Sequence, residues 1–440
     1  MNLKNLLKLY SDRNCETVYV KRMVKNNNSK QQIYVAQGDT QILNVFPLND
    51  FKAVLNNNAK KETFHATCNF FWLDDEGNKS LAPSAKFILY PKYPEVRFSG
   101  FIQGCKNAPS EILNTAVDGR FLFFGVSKNN EIFGYVTRAE SEIANEFSKL
   151  KNIPMIGILY SLAIQAQKIV IDTKGQLIQK LKEIYSKGWI DSKQLKPGFI
   201  LAACNESRCG GLTLEAELGI IQNGRSEPDY LGWEIKQFGV RKLHLINSSR
   251  ITLMTPEPDG GLYKDKGGID FVRKYGYVSP KNIERMDFTG YHKCNQIQNK
   301  SGLTLSIDGY NFLNNKIDNA NGGIYLSDKN GNIAASWSFS KMLSHWNRKH
   351  AKATYVPSLL NTIPNRQYQY SNKVIMGEGT DFSFFIDSVA SGKIFYDPGI
   401  HIDNIFKDTT LKPRSQFRIS SKHIHELYSS IEIVDLNQVY

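Results

Sequence analysis

The stretch GGLTLEAELGIIQNGRSEPDYLGWEIKQFGV, residues 210–240, gathers residue types that can work on a phosphodiester. It holds Pro228-Asp229 and then Glu234-Ile235-Lys236: an acid, a short spacer, and an acid-x-Lys pair. If Trp233 to Phe238 forms a strand, its period of two puts Glu234 and Lys236 on one face and Trp233 and Ile235 on the other. Hydrolysis of a phosphodiester needs a hard cation, an activated water and a cationic group beside them. Asp229 and Glu234 offer hard oxygen ligands for Mg²⁺, with the backbone carbonyl of Ile235 as a third, and Mg²⁺ suits a site with only one or two carboxylates. Lys236 would orient the water or help to deprotonate it. An acid-x-Lys pair is also common as a plain surface ion pair, so the pattern gains its meaning from Asp229 and from what precedes it.

What precedes it is LTLEAELGI, where Leu214 and Leu218 stand four apart and mark the start of a helix carrying Glu215 toward the same place. Glu215 is left either to hold a second metal or to position Lys236. Glu217 lies about 200° around such a helix from Glu215 and reads as a solvated surface charge. Further upstream, GQLIQKLKEIYSKGW places Leu177, Ile178, Leu181, Ile184 and Tyr185 on one helical face, with Gly188 as a stop. Residues 1 to about 150 read differently. VYVKRMV, QIYVAQ, TFHATCNFFWL, AKFILYP, EVRFSGFI, GRFLFFGVS and EIFGYVT are strand-like runs separated by Asn, Asp, Gly and Pro clusters. Asp74–Asn78 and Lys128–Asn130 fit hairpin turns, and ESEIANEFSKL switches to a helical period. The apolar run Ile153 to Ala166 is too short to span a bilayer and reads as a buried helix.

The chain of 440 residues exceeds what one core usually serves, which favours two domains, residues 1–155 and 156–440. The expected architecture is α+β and multidomain, a β-barrel-like front followed by a mixed α/β unit. A hydrophobic content of 41% and a charged content of 22% exclude wholesale disorder. The formal charge of +13 points to a polyanionic partner, and the excess is spread over both halves. Six cysteines without regular spacing suggest free thiols in a reducing cytoplasm rather than a disulfide framework. Cys204 and Cys209, the close pair, lack nearby partners for zinc. The N-terminus shows no secretory signal pattern. His423 and His425 fall two apart in SKHIHELYSSI, which reads as a helix and therefore separates them onto opposite faces. The Gly-rich segment 259–268 lacks the ending of a nucleotide-binding loop and reads as a mobile basic loop.

SKGWIDSKQLKP, GGLTLEAEL and PDYLGWEIK, in that order and at these distances, resemble the MvaI/BcnI type II restriction endonucleases, relatives of the mismatch-repair nicking enzyme MutH. ITLMTPEPDGG, FVRKYGY, LTLSIDG, WSFSKML and QFRI extend the likeness over most of residues 172–440. The resemblance implies a PD-(D/E)xK restriction-endonuclease-like fold and Mg²⁺-dependent cleavage of duplex DNA by a monomer. Its catalytic positions fall on Glu215, Asp229, Glu234 and Lys236. A nicking repair enzyme or a non-catalytic DNA-binding regulator stand as alternatives. Arg418 matches a DNA-contacting arginine, and an arginine that reads guanine does so with a bidentate contact. Two histidines ahead of it in the family are replaced here by Leu411 and Pro413, with Arg414 beside them. A β-rich front ahead of such a nuclease is similar to the arrangement in UbaLAI, whose front part resembles the B3-like effector domain of EcoRII. That likeness casts YPKYPEVRFSGF, with Lys92 and Arg97, as one arm of a DNA-gripping barrel, with room for a second DNA copy.

Overall fold

A computed structural model of the chain describes residues 1–25, 32–56, 61–164, 172–221, 228–347 and 349–438. It falls into two compact units, Met1–Ile171 and Asp172–Tyr440. Among the described residues no helix is long and apolar enough to cross a membrane.

The first unit is built from two sheets. A seven-stranded sheet is centred on Cys15–Met23, Arg120–Ser127 and Glu131–Val136, and a five-stranded antiparallel sheet on Lys86–Tyr90 and Glu95–Ser99. TFHATCNFFWL, a single run by its pattern, is two strands. Lys61–Thr67 belongs to the smaller sheet and Asn69–Leu73 to the larger, and the chain changes sheet at Cys68. The inner faces meet through rings: Phe87 and Phe98 from the smaller sheet contact Phe46, Phe70 and Phe124. Such aromatic pairs add about 0.5–1.5 kcal/mol each beyond their buried area. The far face of the larger sheet is covered by helices Leu3–Ser11 and Glu142–Lys149, which contribute Leu6, Tyr10, Ile143 and Phe147 to one core cluster. Ser141 caps the second helix, its hydroxyl accepting the Ala144 amide. Residues 153–164 are not helical. Met155–Ile156 and Leu159–Ala163 form a hairpin that extends the larger sheet along Cys15–Met23. A short apolar run fits a strand as well as a helix, and with Gly157 at φ +55° in the connection the run reverses instead of continuing. Residues 165 and 166 lie outside the described ones.

The second unit is mixed α/β. Its main sheet runs Trp189–Asp191, Gln367–Tyr370, Lys352–Asn361, Lys373–Glu378, Ser430–Asp435. Glu234–Gly239 joins it parallel to Lys352–Asn361, with Glu234 opposite Ala353 and Lys236 opposite Tyr355. Residues 353–355 also pair with Lys373–Glu378, so the Glu234 strand takes the opposite side of the same strand. The helix Thr173–Ser186 packs Leu177, Leu181 and Ile184 against Trp233, Ile235, Val356 and Tyr370. Trp233 and Ile235 thus serve this core, which leaves Glu234 and Lys236, alternating with them, for chemistry.

Among the described residues, five smaller sheets of two to four strands and the helices Gly268–Tyr275, Phe339–Trp346 and Phe382–Ala390 complete the unit. Trp337, Tyr396, Phe417 and Phe385 form a linked chain of ring contacts in their core. Two local expectations give way here. Residues 259–268 contain the helical turn Leu262–Asp265 and lead directly into the next helix, so the basic loop is a structured corner. SKHIHELYSSI is a 3-10 segment, Ser421–Leu427, followed by the strand Ser430–Asp435. His423 and His425 both approach Glu426 rather than a metal cluster. Cys204 and Cys209 form a disulfide instead of standing free. Their Cα atoms are 5.8 Å apart, within the range a disulfide bridges.

Candidate active site

The spacing between Asp229 and Glu234 is a tight reversal. Tyr230 and Trp233 exchange both backbone hydrogen bonds, at 3.0 and 2.8 Å, around Leu231 and Gly232. Those two have φ of +49° and +82°, the double left-handed pattern of a two-residue turn. Gly232 adopts it freely, whereas Leu231 is strained. The reversal brings Asp229 back alongside the strand, where its Oδ2 accepts the Ile235 amide at 3.0 Å.

Glu234 is 1% exposed. Its Oε1 lies 2.6 Å from the Lys236 ammonium and 3.5 Å from that of Lys349, and its Oε2 is buried with no hydrogen-bond donor among the described residues. Glu215 comes from the helix Cys209–Glu217, which leans on the Glu234 strand. Contact is close at Gly210, where a Cβ would stand 2.7 Å from the Gln237 side-chain oxygen. The Tyr370 hydroxyl also donates to the Gly210 carbonyl at 2.8 Å.

These groups feel one another. Burial, then Asp229 and Glu234, push Glu215 up to about 7, with Lys236 and Lys349 acting against the rise. Burial and Glu234 push Asp229 up to about 6, opposed by the Ile235 amide and the same two lysines. Burial works against the Lys236 charge, but Glu234, Asp229 and Glu215 outweigh it and hold the ammonium above its ordinary range. Three carboxyl groups and two ammonium groups therefore share one partly dry site. Among the described residues no three His, Cys, Asp or Glu side chains form a finished metal cage. The donor set nevertheless suits a hard divalent cation. Two carboxyls are raised by burial and then by neighbouring carboxylates, a repulsion that such a cation would relieve, and among the described residues Glu234 Oε2 has no hydrogen-bond partner.

Lys349 is the participant that local spacing does not reveal. It stands just before the strand Lys352–Asn361, far along the chain from the EIK segment. Next to it, His350 is buried, stacked on Trp346 at 4.2 Å, and held neutral by burial and the Lys236 charge. Glu217 departs from expectation. Its side chain is 4% exposed and bound by Lys187 at 2.6 Å and Lys193 at 2.5 Å. The helix face opposite Glu215 is covered by these two lysines from neighbouring elements, so the residue is a buried anchor rather than a solvated charge.

Residues 178–428 match the model of the MvaI/BcnI restriction endonuclease family. The chain belongs to that family. Its members are DNA-cleaving hydrolases, and the matched residues contain every side chain of the site just described. Among solved structures, the complex of restriction endonuclease MvaI with its cognate DNA substrate shares 15% identity, covering 60% of this chain and 99% of that one, with a TM-score of 0.46. MvaI in the absence of DNA also shares 15% identity, covering 61% and 100%, with a TM-score of 0.33. No curated protein matches the chain.

The residues expected to touch DNA belong to other elements. Within the MvaI/BcnI-like unit, Arg418 pairs with Asp397 at 2.7 Å and donates to the Arg250 carbonyl at 3.0 Å, so most of its guanidinium is already committed. Arg414 is exposed on the segment leading to the Phe417–Ser420 strand. In the first unit, Arg97 is bound by Glu95 and Gln32 and clasped between the rings of Tyr34 and Tyr90. Lys92 is exposed in the turn between the strands Lys86–Tyr90 and Glu95–Ser99.

Proposed function

We propose that the chain is a type II restriction endonuclease that hydrolyses both strands of a specific duplex DNA site with Mg²⁺. The supporting observation is that Glu215, Asp229, Glu234 and Lys236, from a helix, a turn and a strand, interact electrostatically at one place within the matched region. Asp229, Glu234 and the Ile235 carbonyl are the groups that would hold the cation, which when bound supplies charge neutralisation at the phosphate and a more acidic water.

The remaining chemistry belongs to the chain. Lys236, fixed on Glu234 Oε1, presents an ammonium to the nucleophilic water or to a phosphate oxygen. Glu215, raised to about 7, takes or returns a proton near neutral pH, which matches the demand on a general base. The hydrogen bond from the Ile235 amide fixes the Asp229 carboxylate, so that little reorganisation is needed when the substrate arrives.

In this reading the residue 1–155 region is a B3-like DNA-binding or effector domain that engages a second DNA copy, with Lys92 as its exposed cation, and the enzyme acts as a monomer. A plasmid incubated with Mg²⁺ tests the function. Discrete double-strand fragments are expected. Nicked circles alone would favour a strand-nicking repair enzyme, and an uncut plasmid would favour a regulator. Asp229→Ala should abolish cleavage while a gel-shift assay still detects DNA binding, and retained cleavage would remove Asp229 from the mechanism.

A further inference from the structure

Where the Glu234 strand ends, at Gly239, the chain borders a groove of about 1230 Å³ lying wholly within the second unit. Its lining includes Arg241, Arg250, Lys293, Lys393, Arg418 and Lys422, and no Asp or Glu. Lys393 and Arg418 are neutralised from behind by Glu426 and Asp397. Arg250 is laid over the Tyr291 ring at 4.5 Å. Arg241, Lys293 and Lys422 are exposed and form no ion pair among the described residues. A concave surface carrying three uncompensated cations focuses a positive potential that a single small anion would only partly satisfy. Serine hydroxyls and the Tyr291 and Phe395 rings complete the wall. Cations, hydroxyls and backbone amides are what contact phosphate and sugar along a nucleic-acid strand.

Position narrows the occupant. A strand rises about 3.3 Å per residue, so Gly239 lies roughly 10 Å beyond Lys236. Duplex DNA advances about 3.4 Å per nucleotide along one strand, so this separation spans only a few base steps and one duplex can reach both places. We propose that this groove grips the phosphate backbone of duplex DNA flanking the bond to be cut, with Arg241, Lys293 and Lys422 each neutralising one phosphate. The proposal rests on the nuclease reading for the choice of duplex DNA.

The test is binding of a fluorescent 30-base-pair duplex in EDTA, by anisotropy, across a salt series. Each phosphate neutralised contributes about 0.9 to the slope of log K against log salt. The variant Arg241→Ala/Lys293→Ala/Lys422→Ala should therefore lose about 2.7 of that slope, which shrinks the wild-type advantage about 40-fold between 50 and 200 mM salt. An unchanged slope in a folded variant overturns the proposal. So does loss of inorganic tripolyphosphate binding with the DNA slope intact, which would make the groove a small-anion site. If the triple variant does not fold, the three single variants replace it, each expected to remove about 0.9. Failure of the wild type to cut a plasmid would sink the nuclease reading without altering these slopes.

Discussion

Metal affinity should depend on pH to a degree that reveals how many of the raised carboxyls the cation engages. Asp229 is pushed to about 6 and Glu215 to about 7, and a cation must displace any proton on a group it binds. If Asp229 and Glu234 alone hold it, the apparent dissociation constant should weaken about tenfold between pH 8 and pH 5, from the protonated fraction of Asp229. If Glu215 also ligates, its higher value adds about a hundredfold, for a total near a thousandfold. Stability without metal should follow the opposite trend. Both carboxyls are raised above their ordinary 3.8 and 4.5. The stability gained by holding these protons is fully present below those values and lost as the pH climbs through 6 and 7. Added divalent ion should thus raise the melting temperature far more at pH 8 than at pH 5. Calorimetric titration of Ca²⁺ into the metal-free enzyme at several pH values measures the first trend, and thermal denaturation with and without Ca²⁺ at the same pH values measures the second. An affinity flat from pH 5 to pH 8 would refute the shared carboxyl site.

Other perturbations address the scaffold. Gly232→Val places a β-branched residue at φ +82° and should cost about 1–2 kcal/mol in urea denaturation, with a loss of cleavage larger than the loss of DNA binding. An equally active variant would mean that the turn does not set the Asp229 position. Glu217→Ala removes the anchor of Lys187 and Lys193 and should destabilise by about 1–3 kcal/mol, whereas a solvated charge would cost under about 0.5. Residues 172–440 produced alone should fold cooperatively and cut DNA, as judged by a single thermal transition and plasmid cleavage. An aggregated product would show that the second unit depends on the first.

What the sequence discloses about this molecule is what short-range periodicity can carry. Glu234 and Lys236 on one strand face, Leu177, Leu181 and Ile184 on one helix face, and the Asp74–Asn78 turn all depend on neighbours within a few residues. Lys349 reaches Glu234 only because a later strand pairs in parallel beside it, a long-range event without local signature. Glu217 is misread for the same reason, since its lysines arrive from a preceding helix end and from a separate strand. The run 153–166 misleads because apolar content without a clear period fits helix and strand alike. The Cys204–Cys209 bond depends on the loop path into the Glu215 helix, which residue spacing leaves undetermined.

The four residues separating Asp229 from Glu234 work as a ruler rather than as a tether. Because two of them are consumed in reversing direction and the outer two clasp each other, the count is fixed by backbone geometry, with Gly232 serving the turn and Trp233 the core. One inserted residue would open the clasp and swing Asp229 away from Ile235, even with every reactive group retained. Deletions and insertions here should be far more damaging than substitutions at Leu231, whose exposed side chain only covers the bend.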